Sequence, residues 1–96
     1  MLGLSEEECV VEAVADACLK WQRADESWDA VTWAIARDPQ TGAPLTEEGN
    51  VRIATWSGAK SIGMPDIEVI YRITLERIEI LEAIFTEPTY AFSGKA

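Results

Sequence analysis

Apolar positions follow two rhythms along this chain: intervals of three and four residues from Val10 to Ile35, then near alternation from Val51 to Phe85. The first rhythm gathers side chains on one stripe of a helix, the second on one face of a strand. Val10, Val11, Val14, Cys18 and Trp21 form the first helical stripe, with Glu12, Asp16, Lys20 and Arg23 on the other side. Ser5, three residues ahead of Glu8, makes a capping box and predicts a helix start there. Asp25 is a good N-cap and Glu26 suits a positive first turn, so a break is expected near Ala24. Trp28, Val31 and Ile35 carry a second stripe. Pro39 ends it near Arg37, because it disfavours helical geometry at Asp38 and has no N–H to donate. So short a link predicts an antiparallel hairpin of helices over about residues 5–37.

Asp38 to Pro44 is turn chemistry, and Thr46 to Asn50 extends the loop. Val51–Trp56, Ile67–Ile73 and Arg77–Phe85 read as strands; Ser57–Asp66 reads as a loop and Thr74-Leu75-Glu76 as a tight turn. In the middle strand Ile67, Val69, Tyr71 and Ile73 share one face, expected to meet the helices, and Glu68, Ile70 and Arg72 share the other. The expected fold is α+β: one domain over residues 1–96, a helical hairpin on one face of a three-stranded antiparallel sheet within about residues 51–85, and an irregular tail at 86–96.

Charge narrows the function classes. Seventeen acidic residues against eight basic ones, with no histidine, give a net charge of −9. A chain this acidic is a poor general ligand for nucleic acid or an anionic membrane, since both are held mainly by cations. Cys9 and Cys18 lie nine residues apart on one helix, about 13.5 Å along its axis, too far for a disulfide. Cys18 is expected in the core and Cys9 nearer solvent. With Glu6-Glu7-Glu8 directly after Leu4, the sequence offers no secretory h-region, and no apolar run approaches the ~18 residues of a membrane span. The expected compartment is the cytoplasm.

Trp33-Ala34-Ile35-Ala36-Arg37-Asp38-Pro39, Gly42-Ala43-Pro44-Leu45, Val51-Arg52-Ile53, Gly63-Met64-Pro65 and Val69-Ile70-Tyr71-Arg72-Ile73 together resemble the second helix and sheet of RelE/ParE-type toxins. The resemblance covers about residues 10–85. It implies a helical hairpin across an antiparallel sheet, a cognate antitoxin as partner, and action on ribosome-bound mRNA or on DNA gyrase. Members usually open with a β-strand. Met1 to Leu4 offers little room for one, which predicts an open sheet edge on that side.

Cleaving RNA without a metal requires a base for the 2′-hydroxyl, an acid for the leaving oxygen and cations for the phosphorane. The residues matching the family's positions are Arg52, Lys60 and Arg72, with Tyr90 as a distant acid; Tyr71 is an alternative acid whose alternation points it at the core. The set is thin without histidine, so protein binding is the favoured activity over ribonuclease chemistry. Glu8, Glu12 and Asp16 form a solvated helix face rather than a metal site, because one face offers too few converging ligands. No cofactor is expected. Trp21 and Trp28 belong to core stripes, whereas Trp33 lies off its stripe and Trp56 is expected to share an otherwise exposed strand face with Arg52. Trp33, Trp56, Arg52 and Arg72 are the candidate binding residues, since Trp and Arg are enriched where interfaces concentrate their energy. The alternative reading is a non-toxic module that forms a homodimer through its sheet edge and exposed aromatics. An acidic mimic of nucleic acid is a third.

Overall fold

The computed structural model describes residues 3–59 and 62–88. Along the chain run β1 (Gly3–Glu6), α1 (Glu8–Lys20), α2 (Ala24–Arg37), a short 3-10 turn (Pro39–Thr41), β2 (Ala43–Pro44), β3 (Val51–Trp56), β4 (Asp66–Ile73) and β5 (Arg77–Thr86). The three long strands and both helices lie where the two apolar rhythms place them. The sheet differs from the expectation: it has five strands in the order β1-β5-β4-β3-β2 and is mixed, because β1 runs parallel to β5 while every other pair is antiparallel. The expected open edge beside β5 is therefore occupied.

That first strand also displaces the expected capping box. Ser5 pairs with Glu79 in the sheet, and α1 begins at Glu8 after Glu7, with no side-chain cap. The α2 break falls at Ala24 as expected, but Arg23 is the N-cap and Asp25 lies inside the first turn, where its charge suits the exposed N–H groups. The buried stripe of α1 is rotated from the one expected. Val10 and Ala17 are buried and Ala13 and Val14 half-buried, while Val11 and Cys18 are exposed. The small alanine side chains let α1 lie close over β5, and that closeness decides which stripe goes inward. Both cysteines are free and exposed, so the expectation of a core Cys18 is corrected.

Both helices cover the same sheet face. Val10, Trp28, Val31 and Ile35 pack there on Ala54, Ile67, Val69, Tyr71, Ile78, Ile80 and Ala83, with the Trp28 and Phe85 rings 5.8 Å apart. The alternation of β5 changes phase midway: Ile78 and Ile80 face the core, and so do Ala83 and Phe85. Register explains how one face holds all four. Ile70 pairs with Glu82 but Tyr71 with Ile80, so Leu81 is an extra residue that forms a β-bulge and resets the phase. Among the described residues, no helix covers the other face of the sheet. No helix among the described residues is long and apolar enough to cross a membrane.

The Ser27 hydroxyl on α2 is fully buried and has no hydrogen-bond partner among the described residues. A buried unpaired hydroxyl costs stability, and alanine is the better helix former. Ser27→Ala is expected to raise unfolding stability by about 1 kcal/mol in urea titration. Ile80→Ala, which empties a fully buried site in the same core, is expected to lower it by about 2–5 kcal/mol.

Candidate protein-docking groove

The turn after α2 is held to the sheet by two side chains from neighbouring strands. Tyr71 on β4 is buried and donates its hydroxyl to the Pro39 carbonyl at 2.7 Å, while the Gly42 N–H donates back to the same oxygen at 3.0 Å. Arg52, its cross-strand partner on β3, donates from Nη1 to the Gly42 and Gln40 carbonyls at 2.6 and 3.3 Å, and from Nε to the Gly49 carbonyl at 2.9 Å. Gly42 is required by close approach: a Cβ there would lie 2.7 Å from both the Ile53 carbonyl oxygen and the Tyr71 hydroxyl. Burial pushes the Tyr71 hydroxyl above the ordinary tyrosine range, with the Asp38 charge adding to the rise. The Gly42 hydrogen bond and the Arg52 charge partly offset it.

This geometry reassigns the candidate catalytic residues. Arg52 pairs with Tyr71 and so shares the helix-covered face, whereas Arg72 pairs with Val51 and shares the open face. The two cations point to opposite sides of one sheet and do not converge on a common phosphate. Each is already engaged. Arg72 donates from Nε and Nη2 to Glu79 at 2.8 and 2.6 Å, and Arg77 adds a contact to the same carboxylate at 3.3 Å. The Arg72 hydrogen bond first, and then the charges of both arginines, hold the Glu79 carboxyl below its ordinary range. The expectation that Tyr71 points inward is met, and its hydroxyl is spent on the turn. Lys60 and Tyr90 lie outside the described residues. Among the described residues, no group of three or more His, Cys, Asp and Glu side chains is placed to hold a metal.

The two candidate interface tryptophans are brought into one surface feature. The face shared by Trp56 and Arg52 is the helix-covered one, which corrects the expectation of an exposed strand face, and Trp56 is half-buried against the core edge. It closes one end of a depression of about 460 Å³ between α2 and β3, with Val31 and Ala34 on one wall, Ala54 on the other and Thr41 to Ala43 across the end. Ala34 and Thr41 also border a second depression, of about 280 Å³, that runs on to Trp33 and Arg37. Trp33 is 58 % exposed and stacks on the Arg37 guanidinium, 4.6 Å from the ring centroid. The result is a continuous groove along α2 with a tryptophan at each end.

Its rim includes open backbone. β2 pairs only with Ile53 and Arg52, and the Leu45 N–H reaches the Val51 carbonyl, so Val51 and Ile53 turn their backbone groups toward β2. Thr55 is next in that series and has no strand on its β2 side among the described residues. An extended segment laid there would pair with β3 while its side chains entered the groove. Sequence reasoning identified the tryptophans and missed the Thr41–Ala43 wall. The signal was Gly42 directly before the proline-containing β2, too short a strand for alternation to reveal.

No protein-family model matches this chain, and a search of curated proteins finds no match. Apolar walls, an aromatic at each end and a free outer strand edge are features that suit a polypeptide segment.

Tyr71→Phe leaves the buried Gly42 N–H without its partner and is expected to cost about 1–3 kcal/mol in denaturant titration. The pH dependence has a defined sign. With its folded pKa above the unfolded value of about 10, Tyr71 contributes stability in full below that value and loses it as pH rises through the folded value. Repeating the titration in alkaline buffer is therefore expected to narrow the gap between wild type and Tyr71→Phe.

Proposed function

We propose that this chain is a RelE/ParE-like toxin-type protein that acts by binding protein, with the groove along α2 docking the protein it acts on and a cognate antitoxin as its neutralising partner. The observation that carries the reading is the order strand, helix, helix and then the long strands, with β1 laid beside β5. The opening strand usual in that superfamily is present at Gly3–Glu6, where the sequence alone offered little room for it. Ribonuclease activity is left out of the proposal. The opposed placement of Arg52 and Arg72, and their engagement by backbone carbonyls and by Glu79, argue for structural work by both cations.

The alternative is a non-toxic homodimeric module. It is favoured by the exposed Trp33 and by the outer edge of β3 past β2, where no further strand pairs among the described residues, both of which a second copy would cover.

Induction of the chain in a bacterial host separates the two. A toxin-type protein is expected to slow growth, and Ala34→Arg, which fills the groove from an exposed helix flank, is expected to restore it. Arg72→Ala, on the open face, is expected to leave the arrest in place. Far-UV circular dichroism and the unfolding midpoint of purified Ala34→Arg establish that the variant is folded. Normal growth with abundant soluble wild-type protein overturns the toxin reading. Sedimentation at a mass near twice 10.6 kDa then supports the dimer.

A further inference from the structure

The sheet face opposite the helices carries a second ordered surface, which meets the lining of the groove only at Ile53 and Thr55. Register lays it out as a grid. Ile53 of β3 stands opposite Ile70 of β4, and Ile70 opposite Glu82 of β5; one step along, Thr55 stands opposite Glu68, and Glu68 opposite Ile84. Ile70, Glu82, Glu68 and Ile84 thus form a square with isoleucines on one diagonal and glutamates on the other. Val51 and Ile53 continue the isoleucine line, so Val51, Ile53, Ile70 and Ile84 make an oblique apolar stripe across three strands. Glu68, Glu82 and Ile84 are exposed and Val51, Ile53 and Ile70 half-buried. Arg72 and Arg77 are committed to Glu79, which leaves Glu68 and Glu82 without an ion-pair partner among the described residues.

We infer that this face binds a cationic amphipathic helix lying along the isoleucine stripe, with Lys or Arg on each shoulder to meet Glu68 and Glu82. Dimensions fit. Strands about 4.8 Å apart and residues about 3.4 Å apart place Val51 and Ile84 about 17 Å from each other, the length of about 11 helical residues or three turns. A helix with apolar residues at i, i+3 or i+4, and i+7 presents one such stripe, and its neighbouring positions fall over the two glutamates. Charge excludes the other occupants. A second copy meeting this face through a two-fold axis would set glutamates against glutamates, and nucleic acid or an anionic membrane would bring more negative charge to a chain already at −9.

The test titrates the isotope-labelled full-length chain with a synthetic peptide of about 14 residues, leucine along one stripe and lysine on both shoulders. A matched peptide with glutamate for each lysine is the control. The lysine peptide is expected to shift the NMR signals of Ile70 and Ile84, to weaken as salt is added, and to lose at least about tenfold in affinity on Glu68→Lys/Glu82→Lys. The same double reversal on α1, Glu12→Lys/Asp16→Lys, is expected to change affinity less than about threefold, since those exposed carboxylates act only through long-range charge. Equal binding of both peptides, equal loss from the two reversals, shifts confined to the α2 groove, or no binding overturns the inference. The groove has its own separate test, which reads growth.

Discussion

A single phenol oxygen sets the shape of one side of this molecule. The Tyr71 hydroxyl sits at the end of a buried side chain in the central strand, gives its proton to one carbonyl of the turn after α2 and takes one from an N–H three residues later. A tyrosine suits the post because its ring contributes to the core while its polar tip needs a partner when buried. Arg52 works beside it as a fork, gathering carbonyls from both ends of the segment that contains β2. Together they convert a seven-residue turn sequence into a fixed wall. Without that wall the groove would be an open shelf between α2 and the sheet.

The same interaction explains why Arg52 and Tyr71 look chemically promising in the sequence. A cation and a phenol on adjacent strands are what a phosphoryl site would use, and they are also what a loop clamp uses. Burial and partner count tell the two apart. In this clamp the phenol and the arginine's Nε and Nη1 already have carbonyls, and the arginine's charge lies against the turn. Arg72, adjacent to Tyr71 on the same strand, belongs to the opposite face, where its carboxylate partner stands directly across the ladder.

Legibility followed the length of each signal. Val51–Trp56, Ile67–Ile73 and Arg77–Phe85 each hold enough alternating positions to declare themselves, and Pro39 marks the end of α2 without ambiguity. Gly3–Glu6 has four residues, one of them large and apolar, and is a strand only because β5 lies beside it. Ser5 and Glu8 match a cap locally, yet pairing with Glu79 takes Ser5 first. The rotation of α1 was hidden because alanine does not declare a face. For the candidate site, alternation shows that Arg52 and Trp56 share a side of their strand, but which side depends on register with β4, a long-range quantity. Leu81 is legible in retrospect: the apolar phase of β5 breaks there, and a bulge is how a sheet absorbs such a break.

The pairing of β1 with β5 also imposes an order in time. Gly3 finds its partner in Arg77, so the two strands are separated by seventy-odd residues of synthesis, about 4–14 s at ~5–20 residues per second. Until β5 emerges, β1 has nothing to pair with and α1 lacks the strand it covers. The helical hairpin can form early, but the sheet edge cannot close, and the apolar side of α1 stays wet. The chain therefore passes through a nascent state with an unclosed core, in which chaperones or a co-synthesised partner meet surfaces that the finished protein no longer displays.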